Sequence, residues 1–166
     1  KKPVFYVGGG VILASAWEQL RTLVKALGAP VASTLMGLGA FPGTDPLSLG
    51  MLGMHGTYEA NMAMDGADLV IALGARFDDR VTNNPEKFSP KATIIHMDVD
   101  AASINKIIDA DIPLHGDGSW VLQQLSTRLV EAIKDEGDTA AQARTQGLEA
   151  WWQQINEWRA ANGLNH

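Results

Sequence analysis

The stretch LVIALGARFDDRVTNN occupies residues 69–84. Five apolar residues run into Gly74, and Arg76, Asp78, Asp79 and Arg80 follow at once. A short run that is apolar on both faces predicts a central strand of a parallel sheet. The charged knot then stands at a strand exit. It reads as a solvated turn, a metal site, an acid/base pair or a ligand clamp. Adjacent acids on an extended chain point apart, which suits neither an acid/base pair nor a metal. Arg76 and Arg80 carry fork-like donors that match a phosphate or a flat polar ring edge, and a nearby Asp can orient them. Taken alone, the knot is most simply a surface ion-pair turn, which contributes little stability.

Working outward, the same strand-then-cluster pattern recurs. Apolar runs at residues 4–7, 31–35, 93–97 and 112–115 predict further strands, with a short extra one around 49–52. Between them lie helical patterns. Leu13, Trp17, Leu20, Val24 and Leu27 follow 4-3-4-3 spacing on one helix face, with Ser15 and Glu18 as a capping box and Gly28 and Pro30 as the stop. Residues 57–66 predict a short helix capped by Thr57. Val121, Leu122, Leu125, Leu129 and Ile133 mark another. Residues 134–140 read as a polar linker, and Leu148, Trp151, Trp152, Ile155 and Trp158 as an amphipathic tail helix. The alternation predicts an α/β, Rossmann-like, doubly wound sheet with helices on both faces, built from residues 1–135 and followed by a linker and tail at 136–166.

In such a sheet the ligand lies outside the carboxyl ends of the strands. Every unusual cluster follows a strand: GGG, TLMG, GMLGMHG, GARFDDR, MDVD and HGDGS. Six clusters on one edge make an idle turn a poor account of the opening stretch. The edge is long, Gly-rich and mixed in charge, which suits an extended dinucleotide.

Composition narrows the classes. The 166 residues are 46% hydrophobic and 19% charged, with net charge −6 and no cysteine. That describes a globular chain without disulfide or thiolate chemistry. No basic run marks a nucleic-acid footprint, and no apolar run is long enough for a membrane span. No secretory leader is evident, so a cytoplasmic setting is expected. The chain starts without Met and reads as trimmed from something larger.

Each cluster also has a bland reading. Gly8, Gly9 and Gly10 form an anion-binding turn or merely a tight strand-to-helix turn, and the two weigh equally. The pattern is not G-x-G-x-x-G, and Thr34 stands at the next strand end where an acid would grip a ribose, so a standard NAD site is disfavoured. Asp98 reads as a ligand contact and Asp100 as a cap, although together they resemble the start of a Mg²⁺-dependent phosphohydrolase. HGDGSW resembles the opening of a thiamine-diphosphate metal motif, but the expected downstream window AQARTQGLEA has no Asn. Asp117 is then a strand-end carboxylate or a helix cap. His55 is a loop His without metal partners at regular spacing, and His96, inside a strand, reads as structural.

At LGMLGMHGTYEAN and GARFDDRVT the chain resembles the central domain of the acetohydroxyacid synthase (acetolactate synthase) catalytic subunit, a thiamine-diphosphate-dependent family. The resemblance extends through KKPVFYVGGG, TLMGLGAFP, IIHMDVD and ADIPLHGD to the tail WWQQINEWR. It implies a six-stranded parallel domain that binds FAD. The contacts it implies are Gly8, Gly9 and Gly10, then Thr34, Leu35 and Met36. Leu52, Gly53, Met54 and His55 follow, then Gly74, Ala75, Arg76, Asp78, Arg80 and Val81. Asp98, Val99, Asp117 and Gly118 complete the set. Met54, His55, Asp79 and Arg80 would also border the channel to the thiamine centre, where herbicidal inhibitors lodge.

The resemblance also implies what is missing. The family's catalytic Glu lies in a preceding domain and its metal motif in a following one, so thiamine diphosphate and Mg²⁺ belong to the longer parent. The parent is a homo-oligomer with a regulatory subunit. This chain alone is expected not to make acetolactate, and no catalytic or metal residue is assigned. It is expected to be an excised FAD-binding domain, a minimal flavoprotein competent in electron transfer. The alternatives are a cofactor-free structural module and, less favoured, the phosphohydrolase. The helix bearing Trp151 and Trp158 is expected to be exposed, and so to offer a self-association surface.

Overall fold

The computed structural model describes residues 2–78, 82, 85 and 88–162. Six strands form one sheet: β1 Pro3–Val7, β2 Val31–Ser33, β3 Ser48–Met51, β4 Leu69–Leu73, β5 Thr93–Asp98 and β6 Ile112–His115. Their order is β3-β2-β1-β4-β5-β6, and every pairing is parallel. This is the doubly wound order, with the winding reversing between β1 and β4. β1 is buried along its whole length and β4 along all but its first residue. Both carry apolar side chains to both faces, as strands covered on two sides must.

Among the described residues, helices run over α1 Gly9–Leu13, α2 Trp17–Leu27, α3 Tyr58–Gly66, α4 Gly118–Lys134 and α5 Asp138–Asn162. One sheet face packs Phe5, Val7, Ile71 and Leu73 against Val11, Leu20, Val24 and Leu122 of α1, α2 and α4. The other packs Val4, Tyr6, Val70 and Ile94 against Ala60 and Met64 of α3 and Trp151 and Ile155 of α5. No helix among the described residues is long and apolar enough to cross a membrane.

Two helix expectations are corrected. The apolar spacing from Leu13 to Leu27 crosses a break. Ser15 sits at φ 51°, outside the extended conformation an N-cap needs. Ala16 takes the N-cap position without a side-chain bond, and the Ser15–Glu18 capping box does not form. Leu13 ends α1 and is 89% exposed, so it does not share the buried face of Leu20 and Val24. By contrast, Thr57 caps α3 as expected, accepting from the Ala60 N–H at 3.2 Å.

The tail is corrected too. The interruption after α4 is residues 135–137, shorter than expected, and α5 starts at Asp138. Its tryptophans are not an exposed patch. Trp151 is 1% exposed and meets Trp158 edge to face at 5.7 Å. The Trp151 Nε1–H donates to the Pro3 carbonyl at 3.1 Å, and the Trp152 Nε1–H to the Gly28 carbonyl at 2.8 Å. Arg159 donates to the Ser48 carbonyl at 2.6 Å. These acceptors stand at or just before the starts of β1, β2 and β3. The tail therefore straps the strand-start edge and buries the face proposed for self-association, leaving the opposite edge open.

Candidate functional site

A parallel sheet sends all six strand exits to the same edge. Five inter-strand gaps of about 4.8 Å make that edge about 24 Å long. At its centre lies the crevice between β1 and β4. Gly8 donates its N–H to the Leu73 carbonyl and Gly10 to the Gly74 carbonyl, each at 3.0 Å. A Cβ on Gly8 would stand 2.1 Å from the Gly74 oxygen, and one on Gly10 2.7 Å from the Gly74 Cα. Gly74 itself holds φ 56°. Two of the three glycines are thus required by backbone crossing, and their N–H groups are engaged within the fold.

On the β2 side, the Thr34 hydroxyl accepts from the Gly37 N–H at 2.9 Å and closes a single turn, Leu35–Gly37. That turn lifts Leu35 and Met36 outward, 69% and 75% exposed. Beyond β3, Leu52 is buried and anchors the loop, while Met54 and His55 are exposed. Asn61 of α3 grips this loop from below. Its Oδ1 accepts from the Gly53 N–H and its Nδ2 donates to the Gly53 carbonyl, both at 3.1 Å. Sequence reasoning missed Asn61; its only local signal is a polar residue one turn after the Thr57 cap.

The β4 exit alternates in burial. Ala75 and Phe77 are 1% and 3% exposed, whereas Arg76 and Asp78 are exposed. Ala75 and Phe77 root the segment in the core, and Arg76 and Asp78 are its exposed residues. The Ala75 carbonyl accepts from the Nε2–H of His96 at 2.9 Å. Burial lowers the His96 pKa, opposed by that hydrogen bond and by the Asp98 charge. The same cluster holds Tyr6, whose hydroxyl pKa is raised by burial first and by the Asp78 charge second. Asp79, Arg80 and Val81 lie outside the described residues.

At the β5 exit, Asp98 is buried and its Oδ1 accepts from the Asp100 N–H at 2.9 Å. Asp100 spends both oxygens on the next turn, accepting from the Ala102 N–H at 3.0 Å and the Ser103 hydroxyl at 3.1 Å. The expected helix after it does not form: residues 101–108 are turns and bends, and Asp100 closes the first of them. Among the described residues, no three His, Asp or Glu side chains gather as a metal cage. Val99 stands out between the two acids. At the β6 exit the Asp117 Oδ1 accepts from the Trp120 N–H at 2.9 Å and caps α4, with Gly118 buried behind it. A Cβ on Gly118 would meet the Ala14 Cβ at 3.0 Å. Trp120 is 65% exposed beside it.

The edge therefore combines exposed apolar surface (Leu35, Met36, Met54, Val99) with one described guanidinium, Arg76, and the carboxylates Asp78, Asp98 and Asp117. Residues 1–125 match the family model of the thiamine pyrophosphate enzyme central domain. The chain is 51% identical over 166 residues to the acetolactate synthase isozyme 3 large subunit of Escherichia coli, covering 100% of this chain and 28% of that one. It is 49% identical over 165 residues to the acetolactate synthase large subunit of Haemophilus influenzae, covering 99% and 27%. It is 47% identical over 165 residues to acetolactate synthase 1, chloroplastic, of Nicotiana tabacum, covering 99% and 23%. The chain thus spans about a quarter of the length of these relatives. Among solved structures, an X-ray structure from Mycobacterium smegmatis, of a protein assigned as a thiamin diphosphate-dependent enzyme, superposes with TM-score 0.61. It is 26% identical and covers 75% of this chain and 24% of that one.

Proposed function

The chain belongs to the family of thiamine pyrophosphate enzyme central domains, and from that premise we propose that it is the FAD-holding domain of an acetolactate synthase large subunit. One observation carries the reading: six strand exits converge on an edge that the tail helix leaves open, with exposed apolar side chains beside a guanidinium. A flavin dinucleotide is flat and apolar at its ring and charged at its diphosphate. The donor and surface types on this edge match both parts.

In this reading Arg76 donates to the diphosphate or to a polar ring edge, and Asp78 orients it. Leu35, Met36, Met54 and Val99 offer apolar surface, and His55 a flat side chain. Asp98 and Asp117, each with one oxygen bonded within the fold, accept from hydroxyl or amino groups. Gly8, Gly9, Gly10 and Gly74 keep the centre of the edge free of side chains. Arg80 and Val81 complete the set by motif. When bound, FAD supplies a redox-active ring, and any electron exchange with small reductants is that ring's chemistry. The chain's own residues bind and orient it. Thiamine diphosphate, Mg²⁺, acetolactate formation, oligomerisation and a regulatory subunit belong, in this proposal, to the remainder of a protein of the relatives' length.

A scaffold that holds no cofactor by itself is favoured by one observation, the engaged N–H groups of Gly8 and Gly10. The spectrum of the purified, desalted protein decides between the two. Retained flavin absorption supports the first reading. A colourless protein that leaves added FAD fluorescence unchanged sinks it. Arg76→Ala is expected to weaken FAD binding by about 1.5–3 kcal/mol, the scale of a charged hydrogen bond. Wild-type affinity in that variant would remove Arg76 from the site.

A further inference from the structure

His96 is wholly buried on β5. Its Nε2 lies 2.9 Å from the Ala75 carbonyl oxygen. A carbonyl only accepts, so Nε2 carries the proton and Nδ1 of the neutral ring is a bare lone pair. That lone pair is buried and meets no donor. The ring also packs edge-on against Phe77, with centroids 5.0 Å apart at 80°. Strand register sets Ala72 between Tyr6 and His96 in one row across the sheet. The small Ala72 leaves space in that row, and Phe77 lies against both larger rings, 5.5 Å from Tyr6. One imidazole thus holds two alternate residues of the β4 exit, Ala75 by a hydrogen bond and Phe77 by ring contact. Arg76 lies between those two anchors.

We propose that His96 is a positioning residue: as the neutral Nε2–H imidazole it pins Ala75 and Phe77, and so fixes the direction in which Arg76 leaves the sheet edge. A histidine suits the task because it supplies a directed donor and a flat apolar face in one side chain. Leucine would keep the bulk and lose the donor. Glutamine would keep a donor and lose the ring. The proposal rests on the flavin reading only for what Arg76 holds.

The test has a ligand-independent arm and a ligand-dependent one. Long-range ¹⁵N–¹H spectra of the labelled chain should show His96 as the neutral Nε2–H tautomer with and without FAD. Amide exchange in residues 74–78 should accelerate in His96→Leu, and His96→Gln should recover part of the protection. FAD affinity should fall about 3- to 10-fold in His96→Leu, the effect of one net hydrogen bond, and less in His96→Gln. An Nδ1–H tautomer overturns the proposal, and so does unchanged exchange in both variants. Should the wild-type chain bind no FAD, the flavin reading fails, while the tautomer and exchange data still decide the tether. Should His96→Leu not fold, His96→Gln and the wild-type tautomer decide it.

Discussion

Replacing Gly8 by alanine tests the centre of the sheet edge. Gly8 has φ −108° and ψ 179°, an extended conformation open to any residue, so alanine suffers no backbone strain of its own. The obstacle is what its Cβ meets: the Gly74 oxygen at 2.1 Å and the Ala75 Cα at 2.5 Å. Both are backbone atoms of the neighbouring strand exit, and no side-chain rotation relieves them. Overpacking a core by a carbon or two costs about 1–3 kcal/mol, and contacts this short with backbone lie at or above the top of that range. The entropic gain from Gly→Ala, about 0.4–1 kcal/mol, offsets little of it. The expected net loss is about 3 kcal/mol, a large share of the roughly 5–15 kcal/mol typical of a domain. In urea, with m of about 2 kcal/mol/M, the midpoint should fall by about 1.5 M. Gly43→Ala is the control, since nothing lies within 4 Å of its Cβ position; it should be neutral or stabilise by up to about 1 kcal/mol. Both are measured by circular dichroism without FAD. A midpoint shift below about 0.5 M in Gly8→Ala, together with a loss of flavin affinity, would mean that the glycine serves the ligand and not the crossing.

Other predictions concern the tail, a cap and pH. Trp151→Phe removes the donor to the Pro3 carbonyl and should cost about 1–3 kcal/mol, and Trp151→Ala about 3–5 kcal/mol; wild-type urea midpoints in both would show that the tail does not pack. Thr57→Ala should cost about 1 kcal/mol for the lost cap, plus the bond its hydroxyl donates to the Leu49 carbonyl at 2.6 Å, read from the same unfolding curves. The lowered pKa of His96 gives stability a sign with pH. The unfolded chain takes up the proton first, so this contribution is complete above the ordinary value of 6.5 and is lost as pH falls from there through the folded pKa. Midpoints measured from about pH 8 down to about pH 5 should decline in the wild type more steeply than in His96→Gln; equal slopes would contradict the sign.

How far the sequence could be read depended on the range of the interaction. The strands β1, β4, β5 and β6 were legible because each is a short, mainly apolar run closed by Gly or a charge, and the alternation then placed six clusters on one edge. The Thr57 cap was legible because its partner is three residues away. The break at Ser15 was not, because apolar spacing continues through it and the positive φ of Ser15 leaves no mark in that spacing. The tail tryptophans read as an unpartnered face because their acceptors, the carbonyls of Pro3 and Gly28, leave no trace in local periodicity. The glycine triplet showed that the backbone needed freedom there, but not that another backbone was the reason. Asn61 and His96 each act through a carbonyl in a different element, which spacing alone does not reveal.

The glycine crossing has a mechanical consequence. Side chains in contact can change rotamer, so a push on one is partly absorbed before it reaches the next. Where Gly8 and Gly10 meet Gly74 there is no such slack, and main chain bears directly on main chain. A displacement of the segment carrying Arg76 is therefore handed undamped to the start of α1, across the line where the winding of the sheet reverses. The two halves of the edge are therefore expected to move together as one stiff beam.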